Sequence, residues 1–168
     1  WALRARYSDQ GYKASDAAEL AGMAERKGGL WMGARADWRL PWGQLSGEWL
    51  GDASDRSGGQ QIKLEASQRF SVGSVSVKPH IALAWQDSAM VDYYYGISQQ
   101  ESRADRTAYA GKSTINTEIG LQLNVPLAAG HSAMMGVTHT MLGSGIKNSP
   151  LVDRSGVTAV RAAYIYRF

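Results

Sequence analysis

The sequence predicts an all-β fold, an antiparallel transmembrane β-barrel with eight strands in this chain. Two regularities predict it. First, apolar and polar residues alternate along most strand-length segments, and the polar face is charged. Arg4, Arg6, Arg35, Arg39, Lys63, Arg69, Lys78, Arg161 and Arg167 stand on it with Asp37, Glu48, Glu65 and Glu118, while Leu, Ile, Val and Trp fill the other. That face is too charged for a sandwich core; lipid outside and a polar interior satisfy both faces. Second, connection lengths alternate: long after strands one, five and seven, moderate after three, short after two, four and six. Membrane barrels sort long external loops from short periplasmic turns in this way. Closure also pairs every backbone group, as the hydrocarbon region requires.

The bulk properties agree. The 168 residues suggest a single domain, residues 1–168. With no cysteine there is neither a disulfide framework nor a thiolate metal site. No apolar run reaches the roughly 18 residues of a spanning helix. The net charge of +3 is small and dispersed, which argues against nucleic acid as a partner. The chain opens on Trp1 without a charged-then-apolar leader, so a mature form or a fragment is expected.

Strand one covers residues 1–8, with Trp1, Leu3, Ala5 and Tyr7 on one face. Residues 9–28 are polar and rich in Gly and Ala, a long loop in which Ser15 to Leu20 suits one capped helical turn. Strand two, residues 29–40, sets Leu30, Met32, Ala34, Ala36, Trp38 and Leu40 against Trp31, Gly33, Arg35, Asp37 and Arg39. Pro41-Trp42-Gly43 is a tight turn. Strand three, residues 44–51, is less regular because Leu50 falls on the polar face. A polar loop, residues 52–59, leads to strand four, which alternates from Gln61 to Val72. Strand five, residues 74–86, contains Pro79, which cannot donate a ladder bond and implies a bulge or a missing hydrogen bond. Residues 87–111 form the longest loop. Strand six, with Ile115, Ile119, Leu121, Leu123, Val125 and Leu127 against Asn116, Glu118, Gln122 and Asn124, is the clearest. Strand seven, residues 131–142, leaves its apolar face undecided. Residues 143–154 are a loop, and strand eight ends the chain.

That last strand places Tyr164, Tyr166 and Phe168 on one face. It resembles the assembly signal of bacterial outer-membrane β-barrels, with Ala163 where Gly is usual. The resemblance implies recognition by the barrel-assembly machinery during insertion.

The loops carry a more specific resemblance. Val91-Asp92-Tyr93-Tyr94-Tyr95-Gly96-Ile97-Ser98, followed by Glu101-Ser102 and Tyr109, resembles the signature of the MipA/OmpV family, the MltA-interacting proteins of the outer membrane. So do Asn148-Ser149-Pro150-Leu151-Val152-Asp153 and, earlier, Leu20-Ala21-Gly22-Met23 with Arg26. The resemblance spans essentially the whole chain. Family members are usually longer at the N-terminus, so it implies a piece lacking N-terminal strands of a barrel of about ten to twelve strands. It also implies a scaffold in the outer membrane, in contact with lipid, that holds a murein synthase and a lytic transglycosylase together. Relatives discussed as adhesins or porins keep a surface adhesin and a small-solute channel as alternatives. The family has no agreed catalytic residues.

Candidate sites follow. The three histidines, His80, His131 and His139, show no metal-binding spacing, so neither metal nor cofactor is expected. His139 is the one candidate for a loop Ser-His-Asp grouping, though it stands several residues from a loop, and no enzyme activity is expected. Tyr93, Tyr94, Tyr95 and Gly96 suit either a platform for sugars and flat groups or, as the favoured reading, an inward-folded plug. Ser149, Pro150 and Leu151 read as a loop anchor. Arg35, Arg39, Lys63, Arg69, Lys78, Glu118 and Arg161 are expected in the lumen. There they make either an anion-preferring passage or an ion-pair network filling a narrow barrel.

Overall fold

A computed structural model describes residues 1–167 of the chain. Phe168, the last residue of the expected assembly signal, lies outside the described residues. The strands are β1 (Ala2–Ser8), β2 (Gly29–Leu40), β3 (Gly43–Asp52), β4 (Gln60–Ser67), β5 (Phe70–Val72), β6 (Val75–Gln86), β7 (Thr114–Ala128), β8 (His131–Met141) and β9 (Gly156–Tyr166). They form one antiparallel sheet in the order β1-β2-β3-β4-β6-β7-β8-β9, with β5 also beside β6, curled into a half-barrel. Along this path each strand pairs with its chain neighbour, the up-and-down order of a membrane barrel. Among the described residues β1 and β9 are the two edges and do not pair with each other.

The alternation of the sequence becomes the two faces of this sheet. Leu64, Ile81, Leu83, Ile119, Val137 and Val160 all point outward and stand 41–78% exposed. An apolar surface of that extent is foreign to a water-soluble monomer and normal for a lipid-facing wall. Outward aromatics collect near both strand ends. Tyr7, Trp49 and Trp85 lie toward the long loops, and Trp38, Trp42, Phe70, Tyr164 and Tyr166 toward the short turns. These are the interfacial girdles of a membrane barrel. No helix of the described residues is long and apolar enough to cross a membrane. The short turns at Gly73 (φ 58°) and Gly130 (φ 76°) use the left-handed backbone that side chains disfavour.

Pro79 leaves its mark as a missing hydrogen bond. The strand expected over residues 61–72 divides into β4 and β5, with the gap at Gln68 and Arg69 opposite Lys78 and Pro79. Ser67 faces His80 before the gap and Phe70 faces Val77 after it, so the register is unchanged and no bulge is present. Gln68 N–H still donates to the Pro79 carbonyl at 3.3 Å. Among the described residues the register shift of the sheet lies elsewhere, between Pro126 and Ala128 of β7. The undecided face of residues 131–142 also resolves. Ala133, Met135, Val137, His139 and Met141 face out, and Ser132, Met134, Gly136, Thr138 and Thr140 face in, across from Asn124, Gln122, Gly120 and Glu118.

Two helices interrupt the expected loops: α1 (Ser88–Tyr95) and α2 (Ser144–Lys147). Asp87 caps α1, its carboxylate accepting from Met90 N–H at 2.9 Å. The turn expected near Ser15 is a single 3-10 turn over Ala18–Leu20, preceded by Ala17 with no side-chain cap.

Candidate functional site

The core of the described residues lies inside the mouth of the half-barrel, at the long-loop end. Helix α1 packs Met90 and Tyr94 against Trp31 of β2 and Leu50 of β3. Trp31 and Leu50 are each 1% exposed. Leu50 thus breaks the polar pattern of β3 because it serves as the floor on which the plug rests. Gly59 lets the helix approach closely, since a Cβ there would stand 2.6 Å from Met90.

Three long connections, residues 9–28, 87–113 and 142–155, are laced over this core by buried polar groups. Arg26 donates to both carboxylate oxygens of Glu101, at 2.9 and 3.1 Å, and to the Tyr93 carbonyl at 2.7 Å. Ala24 and Ser98 N–H groups donate to the same carboxylate. Burial works to raise the Glu101 carboxyl; these donors and the Arg26 charge outweigh it and bring it down to about 2. Arg106, 3% exposed, donates to the carbonyls of Glu19, Ala21 and Glu101. In the third connection the Ser149 hydroxyl donates to the Tyr95 carbonyl at 2.6 Å, and the Tyr109 hydroxyl to the Gly145 carbonyl at 3.0 Å.

The expected motif residues meet here. Tyr93 closes on the first loop, its hydroxyl accepting from Lys27 N–H at 2.9 Å. Tyr94 is buried, and burial pushes its phenol up to about 12. Tyr95 is half-buried, and Gly96 ends α1, its N–H donating to Asp92. Ser149 is buried, while Pro150 is exposed and Leu151 half-buried beside it. Sequence reasoning left out the hubs Arg106 and Asp52; Asp52 binds Ser54, Arg56, Ser57 and Gly58 of its own loop. Their signal was a single charged residue in a polar loop, too common to single out.

Below the plug the inner wall is polar. Glu48 pairs with Arg4 at 3.2 Å, Glu118 with Lys63, Glu65 with Lys78 at 3.7 Å, and Asp37 with Arg35 at 3.0 Å. Arg39, Arg69 and Arg161 also stand on the inner face. Arg69 lies opposite Lys78 in the gap between β4 and β5, and Arg161 faces Gly136. None of these three side chains, nor that of Arg6, makes a hydrogen bond or ion pair among the described residues. The histidines lie apart. His80 points inward against Gly120, His131 stacks on Tyr166 and bonds Tyr164, and His139 faces outward and bonds Thr158 at 2.9 Å. The structure therefore does not bring His139 to the loop cluster.

An apolar lipid-facing wall between two aromatic girdles, a charged interior and loops sorted to one end define an outer-membrane β-barrel protein. Comparison with known proteins places it further. The family model described as MltA-interacting protein MipA matches residues 1–168, and the chain belongs to that family. It is 27% identical over 157 residues to outer membrane protein Omp26La of Vibrio anguillarum, covering 94% of this chain and 61% of that protein. The same figures hold for outer membrane protein OmpV of Vibrio cholerae. The MltA-interacting protein of Escherichia coli K12 is 24% identical over 169 residues, 99% of this chain and 68% of that protein. The chain thus spans about 61% of the length of the first two relatives. No solved structure matches it.

Proposed function

We propose that the protein is an outer-membrane scaffold that holds a lytic transglycosylase, and with it a murein synthase, at the inner surface of the membrane. The observation that supports this reading is the packed mouth of the half-barrel. Loops laced over an apolar core at one end suit a persistent scaffold better than an open passage. A relative named for its interaction with MltA aligns with 99% of the chain. The turns on the other side are short, but they are not featureless. Trp42 is half-exposed there, and Arg39 and Arg69 stand nearby without ion-pair partners among the described residues. That rim offers an aromatic and cationic edge to an acidic partner. A single barrel domain completed by further strands between β9 and β1 belongs to the same proposal, supported by the two unpaired edges. The test is a pull-down from detergent-solubilised envelopes with the full-length protein as bait. Recovery of both enzymes is expected, and recovery of neither overturns the scaffold.

A second reading, a small-solute channel with mild anion preference, is favoured by one observation. The inner-wall carboxylates Asp37, Glu48, Glu65 and Glu118 are all paired, whereas the side chains of Arg6, Arg39, Arg69 and Arg161 have no ion-pair partner among the described residues. Unpaired cations on a pore wall draw anions. Single-channel recordings of the full-length protein decide it, and silence at all voltages removes it.

A further inference from the structure

The register of the sheet segregates charge on the inner wall. Asp37, Ser46, Glu65, Ala82 and Glu118 stand opposite one another in a single row across β2, β3, β4, β6 and β7. The other side-chain carboxylates of the described strands, Glu48 and Asp52, lie on the long-loop side of that row. On the short-turn side every charged side chain of the described strands is positive. The first row there carries Arg39 and His80, and the second carries Arg69, Lys78 and Arg161. Arg69 and Lys78 face each other directly across neighbouring strands, an arrangement in which like charges repel. Glu65 answers Lys78 loosely, at 3.7 Å, and no carboxylate among the described residues answers Arg39, Arg69 or Arg161. Neutral donors in the same two rows are also poorly used. The Ser67 hydroxyl makes no hydrogen bond among the described residues, and the Gln122 amide donates to the Met134 sulfur, a weak acceptor. The second row is open in its middle. Gly136 brings no side chain, and the nearest atom to a Cβ there would be the Leu121 carbonyl oxygen at 3.8 Å.

We infer that this carboxylate-free belt is a binding site for a phosphate group, centred on Arg69 and Lys78 and reached from the short-turn side. The group arrives as the free ion or on a small soluble phosphomonoester. The inference deepens the anion-preferring reading and rests on the same unpaired cations, but it requires no conduction. An anion seated between Arg69 and Lys78 turns their repulsion into two attractions. A phosphate has oxygens enough to accept from a guanidinium fork, an ammonium and the Gln122 amide together, which a chloride ion does not. It also carries close to two charges at neutral pH, where a single carboxylate carries one. Membrane lipid is not the source, because the belt lies on the inner face of the sheet and the lipid on the outer one.

The experiment uses full-length protein in a neutral detergent at low ionic strength, where screening is least. Inorganic phosphate and glycerol phosphate are titrated in turn, and binding is read as saturable broadening of their phosphorus NMR signals. Saturable binding of one or both is expected, and which of them binds tells the free ion from the ester. An equal concentration of chloride should not compete. Arg69→Gln and Lys78→Gln should each weaken binding about tenfold, the loss of one charge-assisted hydrogen bond. Lys78→Arg should keep it. Lys147→Gln, which removes an exposed cation at the long-loop end, should leave it unchanged. The heat-modifiable band confirms that each variant is folded. No saturable binding, equal competition by chloride, or an equal loss in Lys147→Gln would overturn the site. A sharp fall in stability in Arg69→Gln would overturn it too, because carboxylates on further strands would then already hold the belt. Silent single-channel recordings with binding intact would remove the channel and leave the site; conduction without binding would do the reverse.

Discussion

The two ends of this molecule are held together by different physics. At the long-loop end, Trp31, Leu50, Met90 and Tyr94 make a water-excluding core; Glu101, Arg26 and Arg106 tie the first two loops over it, and Ser149 and Tyr109 tie the third. At the short-turn end the interior is an open charged wall, and the connections are single turns such as Pro41-Trp42 and Ala129-Gly130. The sheet between them buries little of its own apolar surface, because that surface faces lipid. The comparison teaches that stability is divided. Strand pairing and lipid hold the wall, and a small soluble-type domain, assembled from loops, holds the mouth.

The sharpest way to break this division is Glu101→Ala. It strands the buried Arg26 guanidinium and the Ala24 and Ser98 N–H groups, and should cost the mouth about 4 kcal/mol. Hydrogen exchange and limited proteolysis should show the loops opening while the heat-modifiable barrel band persists in gel electrophoresis. Loss of the barrel band as well would show one cooperative unit. Next in size, Leu50→Ala should cost about 3 kcal/mol through the cavity under Met90, against about 0.5 kcal/mol for Leu64→Ala on the lipid face. Equal effects of the two would erase the distinction between core and wall.

Acid provides the same test without mutation. The Glu101 carboxyl lies at about 2 in the folded mouth and at an ordinary 4.5 when the loops are released. Its contribution, about 3 kcal/mol, is therefore fully present above pH 4.5 and lost as the pH falls from 4.5 toward 2. Loop protection measured across that window should decline, and in Glu101→Ala the decline should vanish. The smallest effect is expected at the other end. Arg69→Gln and Arg161→Gln remove cations with no partner among the described residues. Stability by chemical denaturation should move by less than about 0.5 kcal/mol. A large loss would reveal partners on further strands of the full-length chain.

The strands of the wall were legible in the sequence and the helices and polar lacing of the mouth were not, for a physical reason. A strand with lipid on one side and charge on the other imposes period two over its whole length, so residues 29–40 are bounded correctly by alternation alone. Two departures from alternation were visible, and their causes lay outside the strand. Leu50 reads as an error until α1 is seen resting on it, and Pro79 shows a lost bond without saying whether the register slips. Helix α1 went unread although both its ends are marked, by Asp87 and Gly96. Its interior, Val91 and three consecutive tyrosines, is of strand-forming composition, and its helicity depends on packing Met90 and Tyr94 into the mouth. The undecided face of β8 has the same origin, since Met134 and Met135 point to opposite sides and only pairing with β7 assigns them.

The lacing also sets an order of events in time. Arg26 meets Glu101 across 75 residues of chain, and Arg106 reaches Glu19 across 87. Contacts so distant in sequence form slowly, because the intervening chain must first be brought to a common place. Here that place exists only when β2, β3, β4 and β6 stand side by side, so the first loop cannot lock before β6 has arrived. A locked mouth is consequently a record that the strands between these two loops have already paired.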